Sequence, residues 1–344
     1  MSEPKTIFVT GASGFIAKHI VLQLLEAGYN VRGSVRNQAK ADEVRRAVAS
    51  HLKDAANLDA RLSFVELDLT SDDGWEQALD GIDALLHTAS PFPMTQPKDE
   101  NDLIRPAVDG TLRALKAAKT AGVKRVVLTS SIAAVCYRQA SAVQAPFTEA
   151  DWTDVDAIGV TPYSKSKTLA ERAAWDFVAE NPEIVLTTVN PGMVMGPALD
   201  KAFGTSLAVV ERILKGKDPA LPKLMFDIVD VRDVAKMHVK ALDTIASEGE
   251  RLIGSGGQMW FKDLADALHA AYPDRRITTR EAPNWFLRFY GVFDPAVRSI
   301  IPLLGAELRC DSSKARDILG TEFISPANAL KASADYLIDS GTVT

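Results

Sequence analysis

An apolar run, Ile7–Val9, leads directly into the segment Thr10–Ala17, which contains two glycines three residues apart. The β-branched and aromatic run predicts a strand, and the apolar spacing over Phe15–Leu25 predicts a helix after a tight turn. Gly11 permits the turn, Gly14 lets a diphosphate approach the backbone, and the final small residue lets the helix lie close to the strand. Because the amide groups at the start of such a helix bind phosphate, the segment predicts a dinucleotide site. An ordinary glycine turn between a strand and a helix is the alternative interpretation.

Strand and helix patterns alternate through the first half of the chain. Near-continuous runs of Val, Leu and Ile are typical of strands buried on both faces of a parallel sheet. The predicted strands are Ile7–Thr10, Asn30–Val35, Leu62–Leu67, Ala84–His87, Val126–Thr129 and Val185–Asn190. The predicted helices between them are Gly14–Ala27, Ala39–Leu52, Gly74–Leu79, Leu103–Ala121 and Pro162–Ala179. This alternation predicts a doubly wound, Rossmann-like α/β fold with right-handed crossovers.

After Pro191 the regular alternation of strand and helix patterns ends. Segments rich in Gly, Pro and Met follow, which predict a smaller carboxyl-terminal lobe that binds substrate. Further helices are predicted at Leu207–Leu214, Val231–Leu242, Lys262–Ala271 and Ala327–Ile338. The segment Val229–Ala235 indicates another strand-to-helix junction, which we expect to return to the sheet. The expected domains are a dinucleotide-binding domain over residues 1–190, joined by 226–250, and a substrate lobe over 191–225 and 251–344.

The composition of the 344-residue chain excludes several classes of function. A net charge of -6 and an isoelectric point near 5.5 give no basic face for nucleic acid. No apolar run is long enough to span a bilayer, and no apolar signal segment precedes the first strand. Two cysteines are too few for a disulfide framework, and the five histidines lack ligand spacing, so no metal site is expected. We expect a cytoplasmic monomer or homodimer that binds neither nucleic acid nor membrane.

A pair of titratable side chains opens the predicted helix after the fifth strand. Tyr163 and Lys167 are four residues apart, so both lie on one helix face. An ammonium and an oxidised nicotinamide near a phenol favour the phenolate, which predicts a lowered pKa for Tyr163 and a role in proton transfer. Ser131 follows the fifth strand, where ligands of open α/β sheets bind, and its hydroxyl can hydrogen-bond a substrate carbonyl. The spacing Tyr-x-x-x-Lys also occurs by chance on many helices, but here it coincides with Ser131 and the glycine loop.

The second predicted strand is followed by residues that indicate which dinucleotide is bound. NAD-binding folds usually carry a carboxylate there, which holds the ribose hydroxyl groups. This chain has Arg36 and Lys40 instead, and no acidic residue before Asp42. A guanidinium binds a 2′-phosphate through two parallel hydrogen bonds, so the sequence predicts NADP(H) rather than NAD. A solvated Arg/Lys pair at the start of a helix is the alternative interpretation.

The chain resembles the extended short-chain dehydrogenases/reductases, and within them the dihydroflavonol-reductase-like branch that includes microbial aldehyde, methylglyoxal and ketone reductases. The segments that carry the resemblance are Val9–Ile16, Tyr29–Arg36, His87–Pro91, Thr129–Ser131, Tyr163–Glu171, Pro191–Pro197 and Val229–Ala235. In that branch the matching Ser, Tyr and Lys are catalytic, which implies the same for Ser131, Tyr163 and Lys167. The resemblance and the loop pattern together imply contacts to the cofactor from Thr10, Gly11, Ser13, Gly14, Phe15, Ile16, Arg36, Lys40, Asp68, Leu69, Thr88, Ala89, Ser90, Thr129, Tyr163, Lys167, Pro191, Gly192, Val194 and Ser206.

Large apolar residues predict a lipophilic substrate pocket. The residues expected to contact substrate are Phe92, Ser131, Tyr163 and Met193, with Met195, Phe203, Met225, Phe226 and Trp260 as further candidates for the wall. Cys136 stands where plant dihydroflavonol reductases carry a polar residue that recognises the flavonoid. The segment 159–162 stands where plant cinnamoyl-CoA reductases carry an Asn-Trp-Tyr-Cys-Tyr signature, so neither plant activity is assumed.

The aromatic stretch Trp285–Tyr290 is expected to be core between the two lobes, with a lid or a subunit contact as alternatives.

The sequence leaves three functions to compare. The leading hypothesis is NADPH-dependent reduction of an aldehyde or ketone, with Tyr163 as the general acid. A sugar-nucleotide epimerase or dehydratase with tightly bound NAD has the same fold and the same Tyr/Lys pair. Dehydratases of this kind carry Thr-Asp-Glu after the fifth strand, and Thr129–Ser131 differs from that pattern. A non-catalytic dinucleotide sensor has no physical need for an acid–base pair, so the sequence disfavours it.

Overall fold

The computed structural model describes residues 4–91, 99–137, 146–157 and 159–343, so Phe92 of the predicted substrate pocket lies outside the described residues. The strands of this part of the chain are β1 (Thr6–Thr10), β2 (Asn30–Val35), β3 (Leu62–Glu66), β4 (Ala84–His87), β5 (Arg125–Thr129), β6 (Val185–Pro191), β7 (Met193–Met195), β8 (Met225–Asp230), β9 (Arg251–Gly254) and β10 (Gly257–Trp260). Its helices are α1 (Phe15–Glu26), α2 (Gln38–Ala49), α3 (Leu58–Arg61), α4 (Trp75–Leu79), α5 (Asn101–Thr120), α6 (Pro162–Glu180), α7 (Thr205–Leu214), α8 (Val231–Asp243), α9 (Phe261–Ala271), α10 (Asn284–Tyr290), α11 (Pro295–Ile300), α12 (Ser313–Leu319) and α13 (Pro326–Asp339). Within the described ranges, no helix has the length and apolar character needed to cross a membrane.

Seven parallel strands form the main sheet, in the order β3-β2-β1-β4-β5-β6-β9. Strand order reverses beside β1, since β2 and β3 lie on one side of it and the later strands lie on the other. The carboxyl ends of parallel strands share one edge of a sheet. The crevice between the ends of β1 and β4 at that edge is where open α/β sheets bind their ligands.

Helices cover both faces of this sheet, because successive side chains of a strand point to opposite sides. Ile7 of β1 belongs to a core with Ile20 of α1 and Val44 of α2, to which α8 also contributes. Phe8, the next residue, belongs to the core on the other face, with Leu115 of α5 and residues of α4 and α6. The doubly wound, Rossmann-like α/β fold is therefore confirmed.

A second, three-stranded sheet has the order β10-β8-β7 and packs with α7, α9 and α13 around a separate hydrophobic core. The junction at Val229–Ala235 is a strand followed by a helix, as predicted, but its strand β8 belongs to this small sheet rather than to the main one. It is the helix α8 that returns to the main sheet. The seventh main-sheet strand is Arg251–Gly254, which we expected in the substrate lobe. The division into two domains stays a prediction.

The predicted elements agree with the structure to within three residues at each end. The sequence patterns do not predict the short strands β7, β9 and β10 or the helices α3, α10, α11 and α12. The aromatic stretch Trp285–Tyr290 lies in α10, where Trp285 is 72% exposed and Phe289 is 62% exposed. The expectation that this stretch forms core is therefore wrong, because the helix has no buried residue.

Candidate active site

The turn between β1 and α1 leaves helical amide groups available to a phosphate. Gly11 adopts a φ of 63°, which favours glycine, and the N–H of Gly14 donates to the Gly11 carbonyl over 2.9 Å. Ser34 of β2 fixes this loop, since its hydroxyl accepts from the N–H of Gly11 at 2.9 Å. Gly14 precedes α1 without a capping side chain. The N–H groups of the first helical turn, which lack acceptors within the helix, are therefore left for an external anion.

Thr10 and Ala89, both predicted to contact the cofactor, support the loop from the protein interior. The Thr10 hydroxyl is buried and accepts from the N–H groups of Thr88 and Ala89, each at 3.0 Å. It also hydrogen-bonds Nδ1 of His87 at 2.9 Å. These bonds join the ends of β1 and β4. Neither Thr10 nor Ala89 lines the cavity between these strands, and Ser13 does not line it either.

The helix α6 carries Tyr163 and Lys167 to the carboxyl end of β5, where Ser131 stands. Thr161 precedes the helix, and its hydroxyl accepts from the N–H of Ser164 at 3.1 Å. Tyr163 is therefore in the first turn, and Lys167 lies one turn later on the same face. The hydroxyl groups of Ser131 and Tyr163 are hydrogen-bonded to each other. The structure thus brings together Ser131, Tyr163 and Lys167, the three side chains predicted from the sequence.

Burial governs the protonation of these side chains. It raises the pKa of Tyr163, and the hydrogen bond with Ser131 opposes this effect without cancelling it. The lowered pKa that we predicted for Tyr163 depends in part on a bound oxidised nicotinamide, so it stays a prediction. Burial lowers the pKa of Lys167 to about 8, against the influence of Glu171. At pH 7 Tyr163 is a phenol that can donate its proton, and Lys167 is mostly an ammonium.

A cavity of about 480 Å³ connects the glycine loop with these three side chains. The predicted site residues that line it are Gly11, Gly14, Phe15, Ile16, Thr88, Ser90, Thr129, Ser131, Tyr163, Lys167, Pro191, Gly192, Met193, Val194 and Ser206. Met225 and Phe226 of the predicted lipophilic wall also line it, whereas Met195, Phe203 and Trp260 do not. One cavity therefore joins a helix terminus that can bind phosphate to a set of acid–base groups.

Arg36, Lys40, Asp68 and Leu69 lie outside this cavity, after the ends of β2 and β3. Arg36 is exposed and directly follows β2. The Lys40 ammonium is 2.6 Å from the Glu43 carboxylate, so it already has an ionic partner. The structure therefore favours Arg36 over Lys40 as a cation for a 2′-phosphate.

Comparison with known sequences identifies the family. The profile described as the NAD dependent epimerase/dehydratase family matches residues 7–254. The chain belongs to this family. It is 34% identical over 358 residues to the putative NADPH-dependent methylglyoxal reductase GRP2 of Candida albicans, with 98% of this chain and 100% of that protein covered. It is 37% identical over 282 residues to the cinnamoyl-CoA reductase CAD2 of Medicago truncatula, with 81% and 84% covered.

Solved structures of similar proteins have the same fold. Yeast methylglyoxal/isovaleraldehyde reductase Gre2, complexed with NADPH, matches with a TM-score of 0.81 and 32% identity, over 98% of this chain and 100% of Gre2. Gre2 of Candida albicans, also complexed with NADPH, matches with a TM-score of 0.80 and 30% identity, over 98% and 99%. The resemblance to extended short-chain dehydrogenases/reductases, and to their microbial reductases, is therefore confirmed.

Tyr137, Asp227 and Leu308 are among the cavity residues that are absent from the sequence prediction. They lie in a loop after β5, in β8 of the small sheet, and between α11 and α12, so no local pattern connects them. Asp227 is buried and accepts hydrogen bonds from Ser255 at 2.7 Å and Gln258 at 2.6 Å. These bonds give Asp227 a structural part in the cavity wall. In the sequence, the signal for Asp227 was a carboxylate within the apolar pattern of β8.

We expect NADPH to bind about threefold to tenfold more weakly at about pH 9 than at about pH 7. Lys167, whose pKa is about 8, loses over this range the positive charge that attracts an anionic dinucleotide to the cavity. Titration of nucleotide fluorescence at both pH values measures the two dissociation constants. The control is Lys167→Met, in which the pH dependence should disappear. Equal binding at both pH values, or the same loss in the control, would contradict the assignment.

Proposed function

We propose that this chain is an NADPH-dependent reductase that converts an aldehyde or ketone into an alcohol. The hydrogen-bonded pair of Ser131 and Tyr163 carries the proposal, because it stands beside Lys167 at one end of the cavity that starts at α1. The similar methylglyoxal reductases of Candida albicans and Saccharomyces cerevisiae, both described as NADPH-dependent, support it. They also support reduction over epimerisation of a sugar nucleotide.

The residues around the cavity fit a nicotinamide dinucleotide. Gly14 leaves the amino terminus of α1 without a side-chain cap, so a diphosphate can accept hydrogen bonds from the first-turn amides. Arg36 is exposed where NADP-binding folds hold the 2′-phosphate. Pro191, Gly192 and Ser206 line the cavity beyond the loop. When bound, NADPH supplies the hydride that reduces the carbonyl carbon.

The chain's own residues supply the proton and orient the carbonyl. Tyr163 donates its phenolic proton to the substrate oxygen, which becomes the hydroxyl of the alcohol. Ser131, already bonded to Tyr163, donates a hydrogen bond to the same oxygen and polarises the carbonyl. The Lys167 ammonium stabilises the phenolate that remains after the proton has left. General acid catalysis of this kind accounts for a rate factor of about 10²–10⁴.

The remaining wall of the cavity favours small apolar substrates. Ile132, Met193, Phe226 and Leu308 line it with apolar side chains. Cys136, which also lines it, is buried and offers a thiol in place of a group that hydrogen-bonds flavonoid hydroxyls. Methylglyoxal and isovaleraldehyde, which yeast Gre2 reduces according to its description, are short aldehydes. The proposed substrates are therefore short aliphatic aldehydes and 2-oxoaldehydes.

The first test is NADPH oxidation with methylglyoxal and isovaleraldehyde by the parent protein and by Tyr163→Phe. We expect the parent to reduce at least one of them and the variant to turn over ~100-fold more slowly or worse, because the ring is kept and the acidic proton is lost. Nucleotide binding by Tyr163→Phe should be nearly unchanged, which serves as the control for folding. A variant that reduces substrate at the parent rate would show that Tyr163 is not the acid.

The second test is the choice of cofactor. Arg36→Ala should weaken NADPH binding at least tenfold, since each hydrogen bond between a guanidinium and a phosphate contributes about 1.5–3 kcal/mol. NADH binding should change little. Lys40→Ala should have a smaller effect in the same direction, because Glu43 already pairs with Lys40.

Arg46→Ala is the matched control, because Arg46 is an exposed cation in the last turn of α2, the helix that follows Arg36 and carries Lys40. We expect it to leave both dissociation constants unchanged. Equal losses of NADH and NADPH binding in Arg36→Ala, or a parent protein that prefers NADH, would show that Arg36 does not bind the 2′-phosphate.

A further inference from the structure

Glu171 lies on α6, one turn after Lys167 and two turns after Tyr163, so the three side chains share one face of the helix. Its side chain is fully buried and does not line the main cavity. A buried carboxylate is costly unless it is paired and hydrogen-bonded. The surroundings of Glu171 must therefore compensate its charge.

Donors from several elements surround the Glu171 carboxylate. They are Arg251 Nε (2.6 Å), Asn190 Nδ2 (2.7 Å), Thr188 Oγ1 (3.1 Å), Trp175 Nε1 (3.4 Å) and the hydroxyl of Ser130. Each of these groups donates to one of the two carboxylate oxygens, which is the pattern that an ionised carboxylate requires. The side chain therefore joins α6 to the residues at β5, β6 and β9.

Arg251 of β9 is the counter-ion of this carboxylate. Its guanidinium also donates to the carbonyls of Glu149 at 2.6 Å and Asp151 at 2.7 Å, and it lies over the ring of Trp152 at 3.7 Å from the centroid. These contacts fix the cation independently of Glu171. Buried ion pairs add little stability compared with well-packed apolar side chains, so stability alone does not account for a carboxylate here.

Two features connect the carboxylate to the residues that perform the chemistry. Asn190 Nδ2, besides binding Glu171, donates to the backbone carbonyl of Ser131 at 3.2 Å. Glu171, Lys167 and the hydroxyl-bearing Thr111 line one small cavity. Its volume of about 10 Å³ is close to the minimum for one water molecule. Since both side chains line this cavity, the charge of Glu171 acts on Lys167.

We propose that Glu171 is a positioning residue, which keeps Lys167 protonated and holds the backbone at Ser131 in place. The inference rests on the proposed function, since the ammonium of Lys167 and the hydroxyl of Ser131 have their roles there. Glu171 lines no part of the main cavity, so it acts through these two residues.

The titratable and charged groups around Lys167 in the described part of the chain support this assignment. His87 faces it from the end of β4, but burial lowers the pKa of His87 to about 3, so its ring is neutral above that pH. Tyr163 is neutral as well, because burial raises its pKa. Glu171 opposes the effect of burial on the pKa of Lys167, and Arg251 pairs with that carboxylate.

The test is Glu171→Gln, which removes the charge and keeps the size of the side chain. We expect the pKa of Lys167 to fall by about 1 unit, since a nearby opposite charge shifts a pKa by at least that much. The alkaline limb of the pH profile of kcat/KM for NADPH then shifts to a pH about 1 unit lower. Activity at about pH 9 falls about tenfold. The direct readout is a ¹³C NMR titration of protein labelled at the lysine ε-carbon, without nucleotide. The signal that disappears in Lys167→Met is that of Lys167.

The matched control is Thr188→Val, which removes one hydrogen bond to the same carboxylate and leaves its charge. Thr188 lines neither of the two cavities. We expect a lower Tm and an unchanged titration of Lys167. If Glu171→Gln does not fold, the double variant Glu171→Gln/Arg251→Gln removes both charges together, and the pKa of Lys167 should shift in the same direction by a smaller amount.

An unchanged titration of Lys167 in the folded variants, or an equal shift in Thr188→Val, would overturn the inference. The two proposals can fail separately. If the parent protein reduces no carbonyl compound, the proposed function fails, and the NMR titration still decides whether Glu171 controls the protonation of Lys167.

Discussion

Parallel pairing of the main-sheet strands determines where the cavity and its side chains lie. Each crossover helix carries the chain back to the amino-terminal edge of the sheet. The carboxyl ends of β1, β4, β5 and β6 therefore lie side by side at the opposite edge. Gly11 and Ser131 are far apart in sequence and line one cavity for this reason. The strand order reverses at β1, so the helices of the two halves of the sheet lie on opposite faces. This arrangement opens the crevice between the ends of β1 and β4.

Much of this arrangement could be predicted from local patterns. The strand before Gly11 is a β-branched and aromatic run, and the helix that carries Tyr163 has clear boundary residues. The strand Arg251–Gly254 could not be predicted, because four residues are too few for a period and its position depends on pairing with β6. The exposure of Trp285 could not be predicted either, since sequence reasoning places aromatic residues in a core by default.

The identity of the candidate site residues was easier to predict than their electrostatics. Spacing placed Tyr163 and Lys167 on one helix face, but a count of charges left out burial, which raises the pKa of Tyr163. The buried donors around Glu171 depend on contacts between elements. Buried polar groups must find partners, and those partners are set by the tertiary structure.

In the proposed reaction, a carbonyl bound against Ser131 and Tyr163 would receive its hydride directly from a bound nicotinamide. The most direct measurement uses NADPH with deuterium at one or the other position of nicotinamide C4, an aldehyde substrate and ordinary water. We expect one of the two labelled forms to deliver its deuterium to the carbinol carbon of the product, as read by mass spectrometry or NMR. A product that carries no label from either form, or label that appears in water, would contradict it.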